Sequence, residues 1–443
     1  MAGSTLYKTI AVVGVTVAMT SACLSSGSDG SSGGGGGGQP SGQASGSTVS
    51  IWASVDQPVL DGLKAGLDPL AKAQGITVNW QRVDNINQLI QTKIQANDVP
   101  DIALIPQPGV VADIVNRGKA TALDDVVDMA ALKSSMVPGT LEAGTVNGKL
   151  YGLLVSANTK SFVWYPKKAF EKAGYKAPES LDELNALTEK IKADKTATAP
   201  WCLGVESQAA TGWPATDWFE DLVMRYGGAD GYNKWVKHET KFDSDVVKQA
   251  AAQFEKIAFT EGNVLGGRKS IVSNAFGAAG NPMFDAKPGC MLFKQGSFIT
   301  GFFPKNVQAN LEENVGVFYF PPAKAGGEKP ILGGGDLAVL LKNTAGARAV
   351  MKMLGDKKVG EPAAGTSFLS PHKTFDVNLY KGKIAQDVAK ITYSSSIFLF
   401  DGSDQMPGAV GAGTFWKDMT SWISGQQDLA TTLKNIDDSW PAS

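Results

Sequence analysis

Between residues 49 and 105 the chain alternates short apolar runs with amphipathic ones, separated by joints of only a few residues. Residues 49–53 read as a strand; across 56–72, Leu60, Leu63, Leu67 and Leu70 recur at helical spacing until Gly75 stops the run. Residues 76–83 predict a second strand, 86–95 a helix buried through Ile86, Leu89, Ile90 and Ile94, and 102–105 a third strand. This order with tight joints predicts a parallel α/β sheet. Such sheets bind ligands beyond the carboxyl ends of their strands. Residues 52–57, which include Asp56, Asp84-Asn85, and Pro106-Gln107-Pro108 all fall there and are candidates for one wall of a cleft.

The amino terminus predicts export. Lys8 supplies a positive charge, residues 10–19 form an apolar run too short to span a bilayer stably, and Thr20-Ser21-Ala22 places small residues before Cys23. The string TSAC resembles the lipobox of bacterial lipoproteins, which implies a signal peptide over 1–23 and a lipid on Cys23. Residues 24–47 are rich in glycine and serine with no apolar face, so they predict a flexible tether. A lipid and a tether together would hold the folded body at the outer face of the cell membrane. Removal of the leader leaves Cys202 and Cys290 in an oxidising compartment, where they are expected to pair.

The body beyond the tether is long enough for two hydrophobic cores. Its formal charge of -2, with basic residues scattered, offers no footprint for nucleic acid. His238-Glu239-Thr240-Lys241-Phe242 starts like a zinc-protease helix, but Phe242 stands where a second histidine is required. His372 is isolated. Residues 262–270 superficially resemble a phosphate loop, yet Arg268 breaks its GK[ST] ending, and no GxSxG elbow occurs. No metal, cofactor or catalytic residue is therefore expected. Carboxylates converging from distant segments keep a secreted glycoside hydrolase as an alternative.

Residues 201–221, WCLGVESQAATGWPATDWFED, crowd indoles, carboxylates and an amide together with no helical or strand period. That mixture suits a pocket wall, because aromatic faces bury C–H surface while short polar groups fix hydroxyls. Thr216 or Asp217 is the expected cap of a helix carrying Trp218, Leu222 and Tyr226, with Trp213 ahead of it and Gly227-Gly228 at its end. Upstream, Asn147-Gly148 predicts a hairpin turn, and the first passage between lobes is expected at 154–160. Downstream, Gly333-Gly334-Gly335-Asp336 predicts a glycine-rich loop whose backbone approaches a ligand or another strand closely, before an apolar strand resumes over 337–341.

The strings WCLGVES and ATGWPATDW within 201–218, GKLYG at 148–152, PMFDAKPGCML at 282–292 and GGGD at 333–336 resemble those of extracellular solute-binding lipoproteins of bacterial carbohydrate ABC importers. This is the maltose-binding-protein-like family, and the Trp-rich string resembles its alpha-glucoside-binding branch. The resemblance implies an α/β, two-lobed periplasmic-binding-protein-like fold with ligand in the interlobe cleft. One lobe is expected to comprise 48–155 and about 291–335, the other about 156–290 and 336–443. Trp213, Asp217, Trp218 and Asp336 match pocket positions, and Cys202 and Cys290 match a disulfide pair; Asp56, Gln107, Tyr151 and Glu206 are added from the expected cleft topology. The implied work is non-enzymatic: a monomer captures an alpha-glucoside or oligosaccharide and delivers it to the transmembrane subunits of an ABC permease. A non-sugar solute such as a polyamine is the alternative within the binding class.

Overall fold

A computed structural model describes residues 43–441, so the leader, Cys23 and most of the tether lie outside the described residues. Strands β1 (Thr48–Ala53), β2 (Thr77–Arg82) and β3 (Ile102–Ile105) run parallel, with Ile51 beside both Trp80 and Ile102. The helix Gln57–Ala73 covers them through Val59, Leu60, Leu63, Leu67 and Ala71. Leu70, expected in the same stripe, is 40% exposed, since Ala71 rather than Leu70 continues the inward face. Hairpin strands β4 (Thr145–Val146) and β5 (Lys149–Leu150) turn at Asn147-Gly148, both at positive φ, and lead into β6 (Gly152–Thr159).

The chain then enters a second sheet. Its strands β7 (Phe162–Pro166), β8 (Ala199–Cys202), β9 (Cys290–Lys294) and β10 (Val315–Tyr319) lie in the order β10-β7-β9-β8. Strands β11 (Ile331–Leu340) and β12 (Phe398–Phe400) return to the first sheet, ordered β12-β11-β3-β1-β2, with β6 also paired to β11. Each sheet has its own core: Ile51, Leu104, Leu67 and Val339 mark the first, and Trp201, Phe219, Trp235 and Trp422 the second. The protein is thus a two-lobed α/β structure of the periplasmic-binding-protein-like kind.

Strand pairing corrects the expected division of the chain. Residues 291–335 were assigned to the first lobe, yet β9 and β10 pair with β7 and β8 in the second sheet. Residues after 336 were assigned to the second, yet Leu337–Leu340 pairs with β3 and the helix Ala345–Leu354 packs beside it. Leu332 of β11 and Leu399 of β12 touch the second core, and after β12 the chain rejoins it through the helices Trp416–Ser424 and Leu429–Asp438. An apolar run indicates that a strand is buried; it carries no mark of which strand it will pair with.

The glycine run also differs from expectation, for it is the middle of a strand. Gly333, Gly334 and Gly335 pair with Thr159, Asn158 and Ala157 of β6. A Cβ on Gly335 would stand 2.1 Å from the Ser156 carbonyl oxygen, and its φ of +147° favours glycine. The ladder shifts register between Asp336 and Leu337, a bulge that re-aims the carboxylate. Cys202 and Cys290 are bonded, with Cα atoms 5.4 Å apart, and join the end of β8 to the start of β9. Among the described residues no helix is long and apolar enough to cross a membrane.

Candidate functional site

The helix Trp213–Val236 begins earlier than the capping pattern predicted. Gly212, at φ 116°, is its N-cap and Pro214 occupies the first turn, so Thr216 and Asp217 lie inside it; it breaks at Gly228 (φ 65°), beside the predicted stop. A Cβ on Gly212 would meet the Trp416 carbonyl oxygen at 2.5 Å, so the helix start lies directly against Trp416. Starting the helix at Trp213 fixes the directions of its side chains. At 3.6 residues per turn, Asp217 stands about 40° from Trp213 and Trp218 about 140° away. Trp218 is accordingly 3% exposed, packed edge-on against Trp201, Phe254 and Phe320 with ring centres 5.4, 6.0 and 5.7 Å away. This corrects its assignment as a ligand-stacking residue: Trp218 is core. Trp213 remains partly exposed, its indole Nε1–H donating to Ser207 Oγ at 3.1 Å.

Asp217 and Trp213 converge on Lys160, which with Ser161 joins β6 to β7. The Lys160 ammonium donates to Asp217 at 2.8 Å and to Asp401 at 2.6 Å, and lies 5.2 Å from the Trp213 ring centre. Burial opposes its charge, but Asp217 and Asp401 hold its pKa well above the ordinary lysine value. Burial pushes the Asp217 carboxyl up to about 8. Asp401 is held below the usual range despite burial, because Lys160 faces it and its oxygens accept from Ser403 Oγ at 2.7 Å and the Asp404 N–H at 3.0 Å. The turn Gly402–Gln405 is fixed to the second lobe by Glu220, which accepts from the Gly402 and Ser403 N–H groups at 2.7 and 3.0 Å. Trp416 Nε1–H reaches Ser403 Oγ at 3.4 Å.

The same turn reaches the first lobe. Gln107 donates to Asp404 at 2.9 Å and accepts from Asn87 Nδ2 at 2.9 Å. Gln107 follows the carboxyl end of β3, as predicted. Asp336 shares that edge, since the next residue, Leu337, pairs with Ile105. Asp56 lies beyond the end of β1, and its charge adds to the burial that pushes the Asp336 carboxyl up to about 7. Asp56, Gln107 and Asp336 are thus gathered on one sheet edge, and Gln107 links it to the Lys160 cluster.

Tyr151 does not join them. It precedes β6 at the end where Gly152 pairs with Val339, whereas Lys160 follows the other end, about 30 Å away along an extended strand. Its assignment to the cleft fails because topology, rather than proximity in sequence to the crossing, sets which edge it occupies. Glu206 is partly buried and accepts from the Gln208 N–H at 2.7 Å, in the loop that also carries Ser207. Lys160, Ser403, Asp404, Asn87 and Trp416 escaped the sequence reading; only Asp401, a helix-capping type three residues before Asp404, left a local sign. A cavity of about 590 Å³ lies elsewhere, lined by Trp164, Gln308 and Tyr380, and one of about 720 Å³ adjoins the Gly402–Gln405 turn, lined by Pro108, Lys237 and Gln405.

The raised carboxyls have a measurable consequence. A folded Asp336 keeps its proton up to about pH 7, whereas the unfolded chain releases it near 3.8, the ordinary value for an aspartate. The folded state therefore binds more protons in that window, and stability falls as pH rises through it. The unfolding temperature is expected to be higher at pH 6 than at pH 8, with Asp336 contributing about 1 kcal/mol of the difference. Asp336→Asn should narrow it; an equal difference in the variant would place the effect on other groups.

Comparison with known proteins places this geometry in a family. The sequence model of bacterial extracellular solute-binding proteins matches residues 54–361. The chain belongs to this family. The alpha-glucosides-binding periplasmic protein AglE of Rhizobium meliloti is 37% identical over 412 residues, covering 89% of this chain and 88% of that one. The osmoprotective compounds-binding protein GgtB of Synechocystis sp. is 35% identical over 380 residues, covering 86% and 89%. The structure of the bacterial solute receptor AcbH superposes with a TM-score of 0.75 at 18% identity, over 88% of this chain and 98% of that one, a likeness of fold. Solute-binding proteins are non-catalytic transport components, which removes the glycoside hydrolase alternative.

Proposed function

We propose that the protein captures an alpha-glucoside or alpha-linked oligosaccharide between its lobes and delivers it to the transmembrane subunits of an ABC permease. It is the carbohydrate-binding component of a bacterial import system, tethered to the outer face of the membrane through a lipid on Cys23. The observation that carries the reading is the juxtaposition of the Trp213 indole with the Lys160, Asp217 and Asp401 cluster, joined through Asp404 and Gln107 to the edge that bears Asp336. A pyranose presents apolar C–H faces to an indole and hydroxyls to fixed acceptors and donors, and burying those hydroxyls unpaired would be costly. The 37% identity to AglE supports the alpha-glucoside class. A polyamine fits less well, because Lys160 already occupies Asp217 and Asp401.

The arrangement also supports capture by lobe closure. Gln107 belongs to the first lobe and Glu220 to the second, and both bind the Gly402–Gln405 turn. Ligand that bridges the same two surfaces would favour the closed form by its difference in affinity for closed and open states. Micromolar capture requires only about 8 kcal/mol net, within reach of one stacked ring and a few hydrogen bonds.

Calorimetry with maltose, trehalose, longer alpha-glucans and unrelated sugars tests the reading. Binding without consumption of an alpha-glucoside is expected. Trp213→Ala should weaken it by roughly 10- to 100-fold, the loss of one well-buried aromatic contact, while the variant stays folded. Unchanged affinity in that variant would remove Trp213 from the site.

A further inference from the structure

Gln107 and Asp404 meet only because the two lobes stand together. Gln107 follows β3 of the first lobe and donates to Asp404 at 2.9 Å, while Glu220 holds the Gly402–Gln405 turn to the second lobe. The helix Pro108–Asn116 presses directly on that turn: a Cβ on Gly109 would stand 3.2 Å from the Asp404 carbonyl oxygen and 3.1 Å from that of Met406. Contacts this close leave no layer of water between helix and turn.

Acids outnumber cations around this contact. Lys160 faces the turn, but its ammonium is already shared by Asp217 and Asp401, and Asp404 has no ion pair among the described residues. Glu220 is a further buried acid on the helix that carries Asp217, and Lys294 pairs with Asp221 and reaches the group only through the Asp217 carbonyl. From the first lobe, the helix Pro108–Asn116 contributes Asp113 alone, which is exposed, and Asn87 behind Gln107 is neutral. The segment Ala409–Phe415, which also packs on the turn, contributes no titratable group. Ionised Asp404 is thus a partly buried negative charge beside Asp401 with no counter-charge of its own. Burial, and after it Asp401, push its carboxyl up to about 7, against the pull of Lys160 and the Gln107 N–H.

We infer that Asp404 couples closure of the lobes to uptake of a proton, so that an uncharged ligand is captured more tightly as the medium becomes acidic. The inference rests on the interlobe ligand site proposed above and adds its regulation. With the lobes apart, the Asp404 side chain faces water and releases its proton near 3.8, the ordinary aspartate value; with them together it keeps that proton to about pH 7. The closed form binds more protons between those limits, so closure becomes less favourable as pH rises through them and levels off once Asp404 is ionised in both forms. Protonation leaves the Gln107 contact intact, because a neutral carboxyl still accepts through its carbonyl oxygen. Asp336 titrates in the same range, but its neighbour Asp56 belongs to the same lobe, so that pair persists when the lobes part.

Maltose and trehalose carry no group that titrates between pH 6 and pH 8, so any proton exchanged on binding belongs to the protein. Calorimetric titration of the full-length protein with each sugar, in two buffers of different ionisation enthalpy, is expected to show uptake approaching one proton per sugar at pH 6. Affinity should be weaker at pH 8 by up to about tenfold. Asp404→Asn keeps an acceptor for Gln107 without a titrating group, so its affinity should be flat between these pH values and its proton uptake largely abolished. Asp404→Ser serves the same purpose if the asparagine variant fails to fold. Sugar binding without proton uptake in the wild type, or undiminished uptake in the variant, would overturn the coupling and leave the carbohydrate reading intact. Wild-type protein that binds neither sugar nor a longer alpha-glucan would overturn the carbohydrate reading and the coupling with it.

Discussion

Lys160→Met is expected to destabilise the second lobe by about 3–5 kcal/mol, measured as a fall in the urea midpoint at unchanged slope. Its ammonium is the shared partner of Asp217 and Asp401, whose side chains are 6% and 3% exposed. Removing it leaves Asp401 as a buried carboxylate without a counter-charge, and that penalty outweighs the packing gained from methionine. Adding Asp217→Asn and Asp401→Asn to the variant should recover much of the loss, because the cost lies in orphaned charge rather than in a missing contact. A loss below about 1 kcal/mol would mean that water reaches the carboxylates and that the cluster is an ordinary surface ion pair. Ligand affinity should fall as well, since Lys160 also faces the Trp213 ring.

Replacing both Cys202 and Cys290 with serine should cost up to about 4–5 kcal/mol, the chain-entropy value for a loop of this length. The bond closes a sequence separation of 88 residues, and both cysteines are at most 1% exposed. Native geometry is secured independently, because β8 and β9 already pair through Ala199 with Cys290 and Cys202 with Phe293. The serine variant should therefore unfold at a lower urea concentration yet bind sugar with nearly wild-type affinity below its transition. A large loss of affinity in the folded variant would show that the bond positions Glu206, Trp213 and Phe276, which lie within its loop, instead of only limiting the unfolded chain.

These expectations show which parts of the protein sequence patterns could specify. The opening elements were legible because β1 and β3 are short apolar runs and the helices between repeat their apolar residues at helical spacing. The passage to the second sheet at Lys160 fell at the end of the expected interval, yet Lys160 itself went unremarked. Its partners are 57 and 241 residues away, and no local period encodes a contact of that range. Trp218 was misplaced by a shift in the helix start: the cap was sought at Thr216 or Asp217, whereas the helix begins at Trp213 and turns Trp218 inward. The glycine run was read as a loop from its composition. The expected close approach to another strand is made to β6, and what composition did not mark is that the glycines themselves extend as strand, a state set by tertiary contact.

Lys160 and its aspartates also bear on the medium in which the protein works. Because Lys160 is paired with Asp217 and Asp401, whose side chains are 6% and 3% exposed, mobile ions screen these contacts far less than they would a surface pair. The cohesion of this part of the interior should accordingly vary little with the salinity of the surrounding medium.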